Sequence, residues 1–306
     1  MNEHEQNALG SEAGLGEDGF TDMSQLIADA VDRIRMKKEA PEAITGISTC
    51  FPSLDYFTSG LQRGDLIVVA GRPCMGKRSF VCNIAMHVAL SCKLPVAILE
   101  NETGGIALTI RMLASIAKID RHDLRTGRIG DDESERLESA VDVIKKAPIY
   151  FSSLTPLTVQ ELSEQLRGLN RRTGGLGLVV VDCLPELKLS GEKMNDDYAI
   201  KIAHTSRYIK ALAKELDVPI VVFSPVERDL EERCNKRPVL TDLPGMAAIA
   251  NAADLVLIVY REEVYDTESE EKGTAQIIIS RNREGSIGSF SLKFDGRYGN
   301  FVETNY

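Results

Sequence analysis

The stretch LIVVAGRPCMGKRSFVCNIAMHVALS, residues 66–91, decides the fold. Its first five residues form an unbroken apolar run, the pattern of a strand buried on both faces. Gly71-Arg72-Pro73-Cys74-Met75-Gly76-Lys77 follows at once, and a long mixed run beginning Arg78-Ser79 reads as a helix. Strand, glycine-bounded turn and helix make a phosphate-binding loop. The glycines let the backbone curl so that successive N–H groups face an anion. The helix N-terminus adds partial positive charge, and the lysine reaches the β- and γ-phosphates. Gly71 through Ser79 are therefore the candidate nucleotide-binding residues. One position departs from the pattern, which wants Ser or Thr directly after the lysine to put a hydroxyl on Mg²⁺. Arg78 stands there, and Ser79 comes one place late. An arginine cannot ligate a metal but can neutralise phosphate charge itself, so nucleotide binding and hydrolysis are separate questions.

Further apolar runs share this character: VAIL (96–99), IYF (149–151), LVVVD (178–182), PIVVF (219–223), LVLIVY (255–260) and QIIIS (276–280). Longer amphipathic stretches separate them until the last run, after which QIIISRNREGSIGSFSLKFDGRYGNF reads as closing β-hairpin structure. The expected fold is α/β, a mostly parallel sheet flanked by helices around a RecA-like P-loop core, with C-terminal β-hairpins. Asp182 ends one buried run, where a carboxylate holding the Mg²⁺ water shell is placed in such proteins. Glu100 and Glu102 follow another, at the sheet edge where α/β proteins gather reactive groups. Either could orient an attacking water, and the pattern alone does not choose between them.

The chain carries 36 Lys and Arg against 46 Asp and Glu, a formal charge of -10, which excludes a surface that grips nucleic acid everywhere. Any such contact is local. No apolar run approaches the ~20 residues that span a bilayer, and the N-terminus is acidic and polar, so a soluble, cytoplasmic protein with no membrane contact is expected. The six cysteines form no CxxC pair and read as reduced core or loop residues. The four histidines are scattered without metal-ligand spacing.

Three segments are expected. Residues 1–20 are too poor in large apolar side chains to offset the entropy of ordering and read as a disordered acidic tail. Residues 21–44 hold an amphipathic linker helix with Leu26, Ile27, Ala30, Val31 and Ile34 on one stripe, suited to packing on its own domain or on a neighbouring subunit. Residues 45–306 form the P-loop domain.

Over roughly residues 43–302 the chain resembles the motor domain of the DnaB family of ring-shaped replicative DNA helicases. The stretches that carry the resemblance include TGISTCFPSLDYFTSGLQRGDLIVVAGRPCMGK, RMLASIAKIDRHDLRTG, IKALAKELDVPIVVFS, KRPVLTDL and IIISRNREGSIG. The resemblance implies ATP with Mg²⁺ as cofactors and a ring, by family habit a hexamer, moving on single-stranded DNA beside other replication proteins. Carried over by position, it implies phosphate binding by Lys77 and a catalytic role for Glu102. Asp182 becomes the metal-holding carboxylate. Arg283 becomes the finger offered to a neighbour's γ-phosphate, with Arg281 where the family has a companion lysine.

The departures fall on working parts. Besides Arg78, Pro225 stands where the family has a glutamine that senses nucleotide state, and Pro185 replaces another glutamine. Pro244 and Gly245 replace a charged pair in a loop that approaches DNA. The family's N-terminal helical domain has no counterpart in these residues. Two functions stay open. One is an ATP-driven ring helicase; the other is a hydrolysis-impaired relative acting as a structural or regulatory nucleotide-binding partner.

Overall fold

The computed structural model describes residues 22–39, 44–100, 104–153, 158–182, 187 and 198–304. The tail expected at residues 1–20, Pro185 and Glu102 lie outside them. The chain divides into two compact units between Thr45 and Gly46. In the first, α1 (Met23–Glu39) is the helix expected from the spacing, with Leu26, Ile27, Val31 and Ile34 exposed.

The second unit opens with α2 (Pro52–Thr58), β1 (Leu66–Ala70) and α3 (Lys77–Leu90). Then come β2 (Val96–Glu100), α4 (Gly104–Ala117), α5 (Arg121–Thr126), α6 (Asp131–Lys145) and β3 (Ile149–Ser153). Next are α7 (Val159–Thr173), β4 (Leu178–Val181), α8 (Tyr198–Leu216), β5 (Ile220–Ser224), α9 (Met246–Ala252) and β6 (Leu255–Tyr260). β7 (Thr274–Asn282), β8 (Gly288–Asp295) and β9 (Asn300–Glu303) close it. The described strands form one sheet in the order β3-β2-β4-β5-β1-β6-β7-β8-β9. Pairing is parallel from β3 to β6 and antiparallel from β6 to β9. That is the mostly parallel, helix-flanked architecture expected from the runs, with its terminal hairpins.

The unbroken apolar runs follow from burial on both faces. In β1, Ile67 and Val69 pack with Phe80, Ile84 and Val88 of α3, while Leu66, Val68 and Ala70 pack with Leu212 and Ala213 of α8. Successive side chains of a strand point to opposite faces, so a strand sandwiched between helices has no position for a polar residue. Local chemistry sets the helix ends. Thr158 and Glu161 form a reciprocal capping box at the start of α7, with Thr158 N donating to Glu161 Oε2 at 2.8 Å, and Gly174 in the left-handed region stops the helix.

Candidate nucleotide-binding site

The parallel strands all end at one edge of the sheet, and β1 turns there directly into the glycine loop. Gly71 has φ +152°, and a methyl on it would fall 2.7 Å from the Val259 carbonyl oxygen of β6. Gly76, with φ +96°, caps α3 under the ring of Phe301, 3.0 Å from where a Cβ would lie. Both positions need glycine, one for close approach of two backbones and one for the turn into the helix. Two arginines brace the loop, one from within it and one from outside. Arg72 bonds Glu231 and donates to the Val226 carbonyl at 3.1 Å. Arg261, just past β6, donates to the Cys74 carbonyl at 3.0 Å and lies over the Phe294 ring at 4.4 Å. Lys77 Nζ folds back onto the Gly71 carbonyl.

Register brings the acidic residues alongside. Leu99 pairs with Val181 across β2 and β4, and Asp182 N donates to the Leu99 carbonyl at 2.8 Å, so Glu100 and Asp182 end neighbouring strands at one level. Both carboxylates are buried, and the Arg78 guanidinium reaches into the pair. Its Nη2 donates to Asp182 Oδ2 at 2.7 Å, and its Nε lies 3.6 Å from Glu100 Oε1. A cleft of about 410 Å³ opens over Arg78 and Asp182. Its walls are the loop from Arg72 to Ser79, Arg111, Asp182 and the end of β5, where Pro225 stands. The loop, Lys77, Arg78 and Asp182 thus come together, with Pro225 at the rim.

Mg²⁺ does not fit this donor set. The residue after Lys77 brings a cation where the ion's hydroxyl ligand would stand, and that cation already engages both acidic groups. Ser79 does not stand in for it. It is buried, and its Oγ would lie 3.2 Å from a methyl on Gly299, in the turn just before β9. The remaining acidic donors at hand are the two carboxylates, and among the described residues no group of three His, Cys, Asp or Glu could hold a metal.

Arg281 and Arg283 lie elsewhere. β7 runs antiparallel to β6 and ends beside its first residue, so both arginines sit at the opposite sheet edge from Lys77. The length of β6, six residues at ~3.3 Å each, sets that separation at roughly 20 Å. Arg283 Nη1 lies 2.9 Å from Asp254 Oδ1 and its Nη2 donates to the Asn251 carbonyl at 3.0 Å, while Arg281 Nε donates to the Ala253 carbonyl at 3.0 Å. Asp254 is buried, accepts from Leu66 N at 2.9 Å and also pairs with Lys210. No single chain can bring Arg283 to its own loop without breaking the sheet. The segment holding Pro244 and Gly245 leads into α9, which packs on α8. A methyl on Gly245 would meet Ile202 at 3.1 Å.

Asp65 shares the Arg283 cluster. Burial, and then the nearby Asp254 carboxylate, push its carboxyl up to about 6, against the opposing pull of Lys210. A folded value above the unfolded one means stability fully present below about pH 4 and lost as pH rises through 6. Asp65→Asn is therefore expected to gain on the wild type by roughly 1 kcal/mol more at pH 8 than at pH 5. Urea denaturation at both pH values checks this, and an equal difference at the two would contradict it.

Sequence reasoning missed Arg261 and Arg111. The signal for Arg261 was present, since a cation directly after a buried parallel strand sits at the edge where the loop lies. Arg111 served only as a landmark in RMLAS; its place on the cleft wall depends on how α4 packs.

These features define a P-loop domain on a RecA-like core. Residues 46–303 match the DnaB-like helicase C-terminal domain family, and the chain belongs to that family. It is 38% identical over 299 residues to the replicative DNA helicase DnaB of Pasteurella multocida, covering 96% of this chain and 63% of that protein. With the Haemophilus influenzae DnaB it shares 36% over 303 residues, 98% of this chain and 64% of that one. The chain thus spans under two thirds of the length of these relatives. A solved ATPase domain superposes with a TM-score of 0.87 at 28% identity, covering 93% of this chain and 99% of that one. A DnaB-like replicative helicase solved in a study of its interactions with primase gives 0.84 at 28% identity, covering 92% and 71%. No helix among the described residues is long and apolar enough to cross a membrane.

Proposed function

We propose that this chain is the motor domain of a DnaB-type helicase, a cytoplasmic ring of identical subunits that couples ATP hydrolysis to movement on single-stranded DNA during replication. The observation that carries the reading is the split site. The phosphate loop with Asp182 occupies one edge of the sheet and Arg283 the other, so a complete site needs two chains in a head-to-tail ring. In that site Lys77 and the N-terminus of α3 hold the β- and γ-phosphates. Arg78 adds positive charge, and Arg283 and Arg281 of the next subunit meet the charge that develops on the transferred group. Glu102 is the proposed group that orients the attacking water.

Local chemistry limits the DNA contact. The segment from Leu243 to Asp254 holds no Lys or Arg, so it offers DNA backbone N–H groups rather than side-chain cations. A primase partner is proposed by analogy with the helicase solved in that study. A second reading, a ring subunit that binds nucleotide but hydrolyses it poorly, is favoured by one observation, the Arg78–Asp182 ion pair. Nothing in the comparisons speaks for it.

Steady-state ATP hydrolysis by the purified protein, with and without single-stranded DNA and beside Lys77→Ala, separates the two. DNA-stimulated turnover that falls at least about 100-fold in the variant is expected for the motor. Nucleotide binding without turnover would favour the second reading.

A further inference from the structure

We propose that Arg78 is a built-in cation, so that this site takes a nucleoside triphosphate without a divalent metal ion. The inference rests on the reading that the cleft binds nucleotide, and it concerns the form in which the nucleotide arrives. Arg78 is the second residue of α3, directly after Lys77, so its side chain leaves the helix at the end where backbone N–H groups and the helix dipole favour an anion. Its guanidinium lines the same cleft as Lys77 and is held by two acidic groups rather than by solvent. Those carboxylates have side-chain exposures of 4% for Asp182 and 6% for Glu100, against 30% for Arg78. In so desolvated a setting opposite charges attract strongly, and stripping the guanidinium from the pair leaves buried anions uncompensated.

A hydrated divalent ion competing for Asp182 would face that penalty, with no hydroxyl after Lys77 to receive it. A guanidinium, in contrast, is planar, permanently charged and matched to the paired oxygens of a phosphate as well as to those of a carboxylate. Placed between Asp182 and the phosphates, it links the acidic end of β4 to the ligand. The positive charges of Arg78 and Lys77, together with the loop N–H groups, thus face the free triphosphate anion directly. Arg78 is a binding residue here, tethered to the chain and insensitive to chelators.

Fluorescence titration with N-methylanthraniloyl-ATP tests this, run once in EDTA and once in excess Mg²⁺. The wild-type affinities in the two buffers are expected to agree within about threefold. Arg78→Thr restores a hydroxyl and removes the cation, and is expected to lose at least about tenfold in EDTA and recover with Mg²⁺. Wild-type binding that needs Mg²⁺ by about tenfold or more overturns the proposal and leaves the nucleotide reading standing. Absence of binding in both buffers overturns the nucleotide reading and the proposal with it. Metal-independent binding that survives in Arg78→Thr overturns the assignment to Arg78. The wild-type comparison alone decides the main point, even where the variant folds poorly.

Discussion

Replacing Arg283 by alanine is expected to cut ATP turnover by roughly 10³-fold while nucleotide affinity stays within about threefold of the wild type. The split geometry is the reason. Arg283 sits at the edge of the sheet away from the phosphate loop, so it makes no contact with nucleotide bound by its own chain. In the proposed shared site its effect falls on the charge that develops during transfer at the neighbour's loop, a contribution that appears in turnover and not in binding. The fold tolerates the change because Asp254, the partner Arg283 leaves behind, keeps Lys210 and the Leu66 amide. A melting temperature close to that of the wild type, recorded beside the turnover, checks that point. Equal losses of affinity and turnover would mean that Arg283 serves the fold and not a neighbour.

The largest expected effect on stability comes from Phe80→Ala. Phe80 is fully buried in α3, stacks on Phe51 with ring centroids 5.1 Å apart and meets Phe301 edge-on at 5.5 Å. Phe301 also lies against Gly76, so this aromatic cluster is the floor of the phosphate loop. Truncation removes buried apolar surface and leaves a cavity whose walls are backbone and rings that cannot collapse inward. A loss of about 3–5 kcal/mol is expected. Urea denaturation measures it, and a loss under about 1 kcal/mol would mean that the cluster repacks.

Much of this was legible in the sequence because the fold rests on local regularities. Each quoted apolar run falls on a strand; for β1, β2, β4, β5 and β6 the reason is burial on both faces, which permits no polar alternation, whereas β3 at the sheet edge is only half-buried. The loop from Gly71 to Lys77 was legible because its chemistry is contiguous. The partners of Arg78 were not, since Asp182 stands 104 residues away and only the parallel register of β2 and β4 sets it beside Glu100. The opposite placement of Arg283 was equally hidden, because it depends on β7 reversing direction next to β6. The resemblance supplied the idea of a finger for a neighbour, and the sheet supplies a physical reason for it. Glu102, the proposed catalytic carboxylate, lies outside the described residues and stands on the resemblance alone.

A complete site shared between two chains is the central claim, and mixing two inactive variants tests it most directly. Lys77→Ala spoils the phosphate loop but keeps its finger, whereas Arg283→Ala keeps the loop and lacks the finger. Mixed and reassembled, they form interfaces where an intact loop faces an intact Arg283. ATP turnover by the mixture is expected to rise well above that of either variant alone. A mixture as inactive as its components, in rings shown by mass to contain both, would contradict the shared site.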